Sequence, residues 1–146
     1  MAELTTLQAL LKQSVRHYGD RVAFQLSDRQ VTYGEFADTV SALSTSLLQD
    51  KLKGKKIGII GKNSYEWSVV YFSVMNGGAI VVPLDKELTI KELKDSIARV
   101  DLDILFYSED VKQKVNAVKQ KTKSTTFIPM TSTGRTLSFQ VLVANG

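Results

Sequence analysis

Lys56-Ile57-Gly58-Ile59-Ile60-Gly61 is a short apolar run that leads through Lys62-Asn63-Ser64 into Tyr65-Glu66-Trp67, and its reading decides the fold. A run without polar alternation predicts a strand covered on both faces, the kind built into parallel sheets. Asn63-Ser64 can cap a helix, which is expected over residues 65–76. That helix is apolar nearly all round (Trp67, Val69, Val70, Tyr71, Phe72, Val74, Met75), which predicts burial. Gly77-Gly78 ends it, and Ala79-Ile80-Val81-Val82 is expected to be a second buried strand closed by Pro83.

The pattern repeats downstream. Thr89 and Glu92 form a capping box, in which each side chain satisfies a free backbone donor of the other residue. Ile90, Leu93, Ile97 and Val100 then keep a helical stripe, and residues 103–107 read as a third strand. A helix carrying Val111, Val115 and Val118 leads to a fourth strand over residues 125–129. Strand and helix alternate, which predicts right-handed crossovers and a parallel sheet with helices on both faces.

Upstream, Leu7, Leu10, Leu11 and Val15 mark a first helix that Gly19 is placed to end. Residues 21–26 alternate like a strand, Ser27-Asp28-Arg29 is a turn, and Val31-Thr32-Tyr33 is the return. Thr32 and Glu35 make another capping box. Phe36, Val40, Leu43 and Leu47 follow as an apolar stripe opposite Asp38, Ser41 and Thr45. The fold class is therefore α/β, a parallel sheet with helices on both faces preceded by a small β-hairpin.

One domain spans residues 1–146: the hairpin and first helices over 1–55, the βαβ core over 56–130, and an incomplete tail over 131–146. In the tail, Thr131-Ser132-Thr133-Gly134-Arg135 is expected to be a loop and residues 137–143 a short helix or strand. Asn145-Gly146 brings no closing element, so the chain is expected to be a piece of a longer one.

Composition narrows the function. The 146 residues are 43% hydrophobic and 23% charged, a balance that excludes disorder. Without cysteine there is no disulfide, thiolate metal site or cysteine nucleophile, which fits a reducing compartment. Met1-Ala2-Glu3-Leu4 has no basic region followed by an apolar run, and the apolar stretch 69–72 is broken by Ser73. A soluble, cytoplasmic protein is expected. The net charge is +4, with lysines at 51, 53, 55 and 56 and again from 112 to 123. Neither cluster contains an aromatic residue, so both read as solvated surface rather than a nucleic-acid or membrane face.

Candidate chemistry is sparse. His17, the only histidine, lies near the end of the first helix and reads as a helix-end residue, where positive charge suits the dipole. Gly58-Ile59-Ile60-Gly61-Lys62-Asn63 joins strand to helix, but its spacing is not G-x-G-x-x-G and no G-x-x-x-x-G-K-[ST] occurs. An ordinary turn accounts for it. Asp85 with Glu87, Asp101 with Asp103, and Glu109 with Asp110 are scattered acids without a neighbouring histidine, better read as caps and solvated loops than as a magnesium site. Trp67 reads as core, so that Trp67→Ala would cost roughly 3–5 kcal/mol.

The order of the pieces resembles a known family. Val31-Thr32-Tyr33-Gly34-Glu35-Phe36 is similar to the T-Y-x-E-L/F helix entry of the adenylate-forming (AMP-binding) superfamily. Residues 56–60 with Asn63-Ser64-Tyr65-Glu66-Trp67 resemble that family's strand and N-s-x-E-w helix start. Gly77-Gly78-Ala79-Ile80-Val81-Val82-Pro83-Leu84-Asp85 is similar to its a-G-a-v-x-v-P-l-d. The resemblance runs from about residue 7 to residue 142 and, within the family, points to the N-terminal part of a long-chain fatty acid CoA ligase (acyl-CoA synthetase).

It implies a parent enzyme that converts a carboxylate to an acyl-adenylate and then to acyl-CoA, using ATP, Mg2+ and coenzyme A. The other readings are a different adenylate-forming enzyme (short-chain, aryl or amino-acid activating) and a free-standing flavodoxin-like binding module. The family's phosphate loop, of the type T-S-G-T-T-G-x-P-K-G, is expected beyond Gly146. Thr131-Ser132-Thr133-Gly134-Arg135-Thr136 lacks its second glycine and its Pro-Lys-Gly and comes too early. The later ribose-binding acid, hinge and C-terminal lysine are not in this sequence either. No catalytic, cofactor-binding or metal-binding residue is therefore assigned, and the chain alone is expected to be inert. Its partner is the remainder of the parent enzyme, with self-association through uncovered surface also expected.

Overall fold

The computed structural model describes residues 6–49, 51–122 and 124–130, and the backbone of 132–133 and 136–137. Helix α1 (Leu7–Tyr18) starts from Thr6, whose hydroxyl accepts the Ala9 amide, and stops at Gly19. Strands β1 (Val22–Gln25) and β2 (Gln30–Thr32) pair antiparallel as the expected hairpin, with a register shift between Val22 and Phe24. Helix α2 (Tyr33–Gln49) opens on the Thr32/Glu35 capping box: the Thr32 amide donates to Glu35 Oε2 at 2.9 Å and the Glu35 amide to Thr32 Oγ1 at 3.1 Å. Phe36, Val40, Leu43 and Leu47 are all buried, the stripe that the spacing predicts.

The four-stranded sheet is parallel throughout: β3 (Lys56–Ile60), β4 (Ile80–Leu84), β5 (Ile104–Tyr107) and β6 (Thr126–Pro129), in spatial order β4-β3-β5-β6. Helix α3 (Tyr65–Asn76) joins β3 to β4, α4 (Ile90–Val100) joins β4 to β5, and a 3-10 turn (Glu109–Val111) with α5 (Lys112–Lys119) joins β5 to β6. Side chains alternate cleanly across the sheet. Ile57, Ile59, Ile104, Phe106 and Ile128 pack beneath α1, α2 and α3, while Ile60, Leu105 and Tyr107 pack beneath α4 and α5. Travel toward β4 runs over one face and travel toward β6 over the other, so the crossovers share one hand.

An aromatic cluster fastens the hairpin to the helices. Phe24 lies 5.0 Å from Phe36 and 5.1 Å from Tyr65 between ring centroids, and Phe36 lies 5.5 Å from Phe72. Helices α2 and α3 meet through two buried serines. Ser44 Oγ sits 3.1 Å from Ser73 O, and Ser73 Oγ sits 3.2 Å from Val40 O. Small residues let the backbones approach, and each hydroxyl finds a carbonyl. Ser73 is the residue that breaks the apolar run in the sequence, and this contact is its physical reason.

Three expectations are corrected. Strand β4 is not buried: it forms one side of the sheet, Ile80 is half exposed, and Pro83 lies within the strand rather than closing it, since Leu84 still pairs with Ile60. A continuous apolar run reports burial of its faces but not its rank in the sheet. Trp67 packs against the core but is not enclosed by it. It is only partly buried and stacks on Tyr71, centroids 5.2 Å apart and planes 14° apart. Trp67, Tyr71 and Met75 follow at i, i+4, i+8 along the less covered side of α3, and Met75 is exposed. In the tail, Ser132–Thr133 (β7), where the sequence suggests a loop, pairs antiparallel with Thr136–Leu137 (β8), whose Leu137 opens the expected short helix or strand. The expectation for residues 138–143 lies outside the described residues.

Candidate functional site

Strand order β4-β3-β5-β6 changes direction between β3 and β5, so the crevice beyond their carboxyl ends is where an open α/β sheet places a ligand. Three connections meet near it: residues 61–64 after β3, 85–88 after β4, and 108–111 after β5.

Gly61 has φ +141°, and a Cβ built on it would fall 1.7 Å from Ser108 Oγ. The glycine is there because the end of β5 occupies the space a side chain needs. The Ser108 amide donates to Ile60 O at 3.1 Å, locking the two strand ends together. The Ser108 hydroxyl donates to Asp110 Oδ1. This hydroxyl, then the Lys62 amide and the charge of Lys86, holds the Asp110 carboxyl below its ordinary range. The chain's own carboxylate thus stands beside the β3–α3 turn. A phosphate brought there would meet a negative charge.

The remaining acids are also committed. Asp85 accepts the Glu87 amide at 2.9 Å in an Asx turn. Glu87 is exposed beside Lys86. Lys114 donates to Lys86 O, tying this loop to α5. Asp101 caps α4 in the left-handed conformation, and Asp103 accepts the Lys56 amide at 2.8 Å. The Thr89/Glu92 capping box is formed in both directions, and the Thr89 backbone and hydroxyl hold the Glu92 carboxyl below its ordinary range. Among the described residues no three His, Cys, Asp or Glu side chains converge on one point. The donor set among the described residues does not fit a magnesium ion.

His17 is exposed in the last turn of α1, its ring tilted against Tyr18. It lines an open groove with Arg21, Glu35 and Asp38. Glu35 accepts the Thr32 amide and is engaged in the cap of α2. Sequence reading missed the Ser108–Asp110 bond at the crevice. Its one local signal is the Ser108-Glu109-Asp110 turn sequence ahead of a helix.

Residues 11–142 match the family described as AMP-binding enzyme. The chain belongs to the AMP-binding enzyme family. Among its relatives is a (7a-methyl-1,5-dioxo-octahydro-1H-inden-4-yl)propanoyl:CoA ligase of Mycobacterium tuberculosis, 30% identical over 71% of this chain and 21% of that protein. Another is the mitochondrial medium-chain acyl-CoA ligase of Danio rerio, 29% identical over 66% of this chain and 16% of that one. The chain therefore spans about a fifth of the length of these two relatives. In fold it is similar to a benzoate CoA ligase of Burkholderia xenovorans, with a TM-score of 0.79 at 15% identity over 97% of this chain and 28% of that chain. Its parallel sheet and separate hairpin match the N-terminal subdomain of adenylate-forming CoA ligases. Among the described residues no helix is long and apolar enough to cross a membrane.

Proposed function

We propose that this AMP-binding family chain is the N-terminal part of an ATP-dependent, AMP-forming acyl-CoA synthetase that activates a long-chain fatty acid in the cytoplasm. Residues 1–146 make one domain, a segment of a larger AMP-binding domain whose remainder is its partner. A carboxylate is a poor electrophile. The parent joins it to the α-phosphate of ATP, releases pyrophosphate, and lets the thiol of coenzyme A displace AMP from the acyl-adenylate, with Mg2+ as a further requirement. The 146-residue chain supplies scaffold: it contributes no catalytic, cofactor-binding or metal-binding residue and is inert by itself.

The family match over residues 11–142 carries this reading. The crevice geometry supports the chain's inertness, because Ser108 stands beside the Gly61 turn and bonds to Asp110, setting a carboxylate near the place where a flavodoxin-like module would hold a phosphate. Similarity to a benzoate CoA ligase favours a second reading in which the parent activates an aryl acid. ATP–pyrophosphate exchange by the full-length parent, run with palmitate, octanoate and benzoate, separates them. Palmitate is expected to give the highest exchange, and a benzoate preference would replace the fatty-acid assignment. The isolated chain is expected to give no exchange with any acid. In calorimetry it should bind ATP, AMP, flavin and coenzyme A no more tightly than millimolar, and micromolar binding of any of them would overturn its role as scaffold.

A further inference from the structure

The sequence has two prolines, and each lies in one of the two outer strands of the sheet among the described residues: Pro83 in β4 and Pro129 in β6. The hydrogen-bond register says which way each one faces. On β4 the Ile80 amide donates to Lys55 O at 2.8 Å. Amides at 80, 82 and 84 therefore turn toward β3, and positions 81 and 83 turn outward. On β6 the Thr126 amide donates to Asp103 O at 2.9 Å and the Met130 amide to Tyr107 O at 2.7 Å. Amides at 126, 128 and 130 therefore turn toward β5, and positions 127 and 129 turn outward.

Both prolines fall at outward positions. At any inward position a proline would remove a bond of the existing ladder. Where they stand, they remove the donor that an added strand would need. The strands are short, so the loss leaves Val81 as the single outward amide of β4 and Phe127 as the single outward amide of β6. These edges would otherwise invite pairing: Ile80 and Val81 on β4 and Phe127 and Ile128 on β6 are apolar, β-favouring residues. Pro83 is not a strand terminator, because Leu84 continues in register with Ile60.

We propose that Pro83 and Pro129 close the two edges of this sheet to strand addition, so that a second copy of the chain cannot extend the sheet across β4 or β6. The inference rests on the backbone register and is independent of the ligase reading. Self-association, where it occurs, then runs through side-chain surface such as Trp67, Tyr71 and Met75 and leaves the outer amides free.

The test restores the donors without adding apolar surface, in Pro83→Ala, Pro129→Ala and the double variant, each checked for native circular dichroism. Sedimentation over a concentration series is expected to show self-association at least about tenfold tighter in the double variant than in the natural chain. Amide exchange should slow at residues 81 and 83 or at 127 and 129 as the variant associates. If Pro129→Ala fails to fold, Pro83→Ala reads the β4 edge alone. The proposal is overturned if the folded variants associate no more tightly than the natural chain. It is equally overturned if the natural chain, on associating, protects the amides of Val81 or Phe127.

Discussion

Gly61 and Asp110 show how much a single position can carry here. Gly61 combines a positive φ with a neighbour standing where its Cβ would be. Gly61→Ala should therefore destabilise by about 1–3 kcal/mol in urea unfolding. Adding Ser108→Gly should recover the steric part and leave the backbone part, so the double variant should lose less than the sum of the two. Asp110 has its folded pKa lowered from the ordinary 3.8, first by the Ser108 hydroxyl and then by the Lys62 amide. A lowered folded pKa adds stability that is present above the ordinary value and is lost as pH falls through the folded one. Asp110→Asn should thus be less stable than the natural chain at pH 7, and the gap should close as pH falls through and below the ordinary carboxylate range. The carboxylate is largely exposed, so the gap at pH 7 should stay within about 1 kcal/mol, a difference that paired denaturation curves at neutral and acid pH can read.

Among the elements, α2 and α3 differ in what their sequences reveal. The α2 stripe of Phe36, Val40, Leu43 and Leu47 is legible because one helix face meets the core and the other meets water. Helix α3 is apolar on nearly every side, so periodicity is silent about which side is deepest. Packing against α2 and the sheet decides it, burying Val69, Val70, Ser73 and Val74 and leaving Trp67 only partly buried. Trp67→Ala should accordingly cost about 1–2 kcal/mol, less than Leu47→Ala, which should cost about 2–5. A thermal melt in which Trp67→Ala is the more damaging of the two would put the indole back in the core. The α2 cap is local, and Thr32→Ala should cost about 1 kcal/mol in the same assay.

For the whole molecule, uncovered apolar surface is the feature with consequences. Met75 is 42% exposed and Ile80 50%, and Trp67 and Tyr71 lie along the same side of α3 as Met75. Such surface should bind a reporter dye of apolar patches and give a mass that rises with concentration. Replacing Trp67 and Met75 with serine should reduce both signals. Dye fluorescence unchanged in that variant would show that the exposed side of α3 is not the adhesive one. The crevice at the β3/β5 ends is the other large-scale feature. Its location follows from strand order, whereas its lining depends on Ser108 meeting the Gly61 turn and bonding to Asp110.

Element type, order and caps were determined by the sequence itself, because they depend on neighbours within a few residues: capping boxes at Thr32/Glu35 and Thr89/Glu92, the stripe on α2, and the Gly77-Gly78 stop. The family was legible for the same reason, since its signature is a succession of such local pieces. Tertiary structure alone decided that β4 lies at the side of the sheet among the described residues, that Trp67 is only partly buried, and that Ser108 stands against the Gly61 turn. Each depends on which distant segment lies alongside. An apolar residue reads the same in sequence whether the segment that would cover it is there or not.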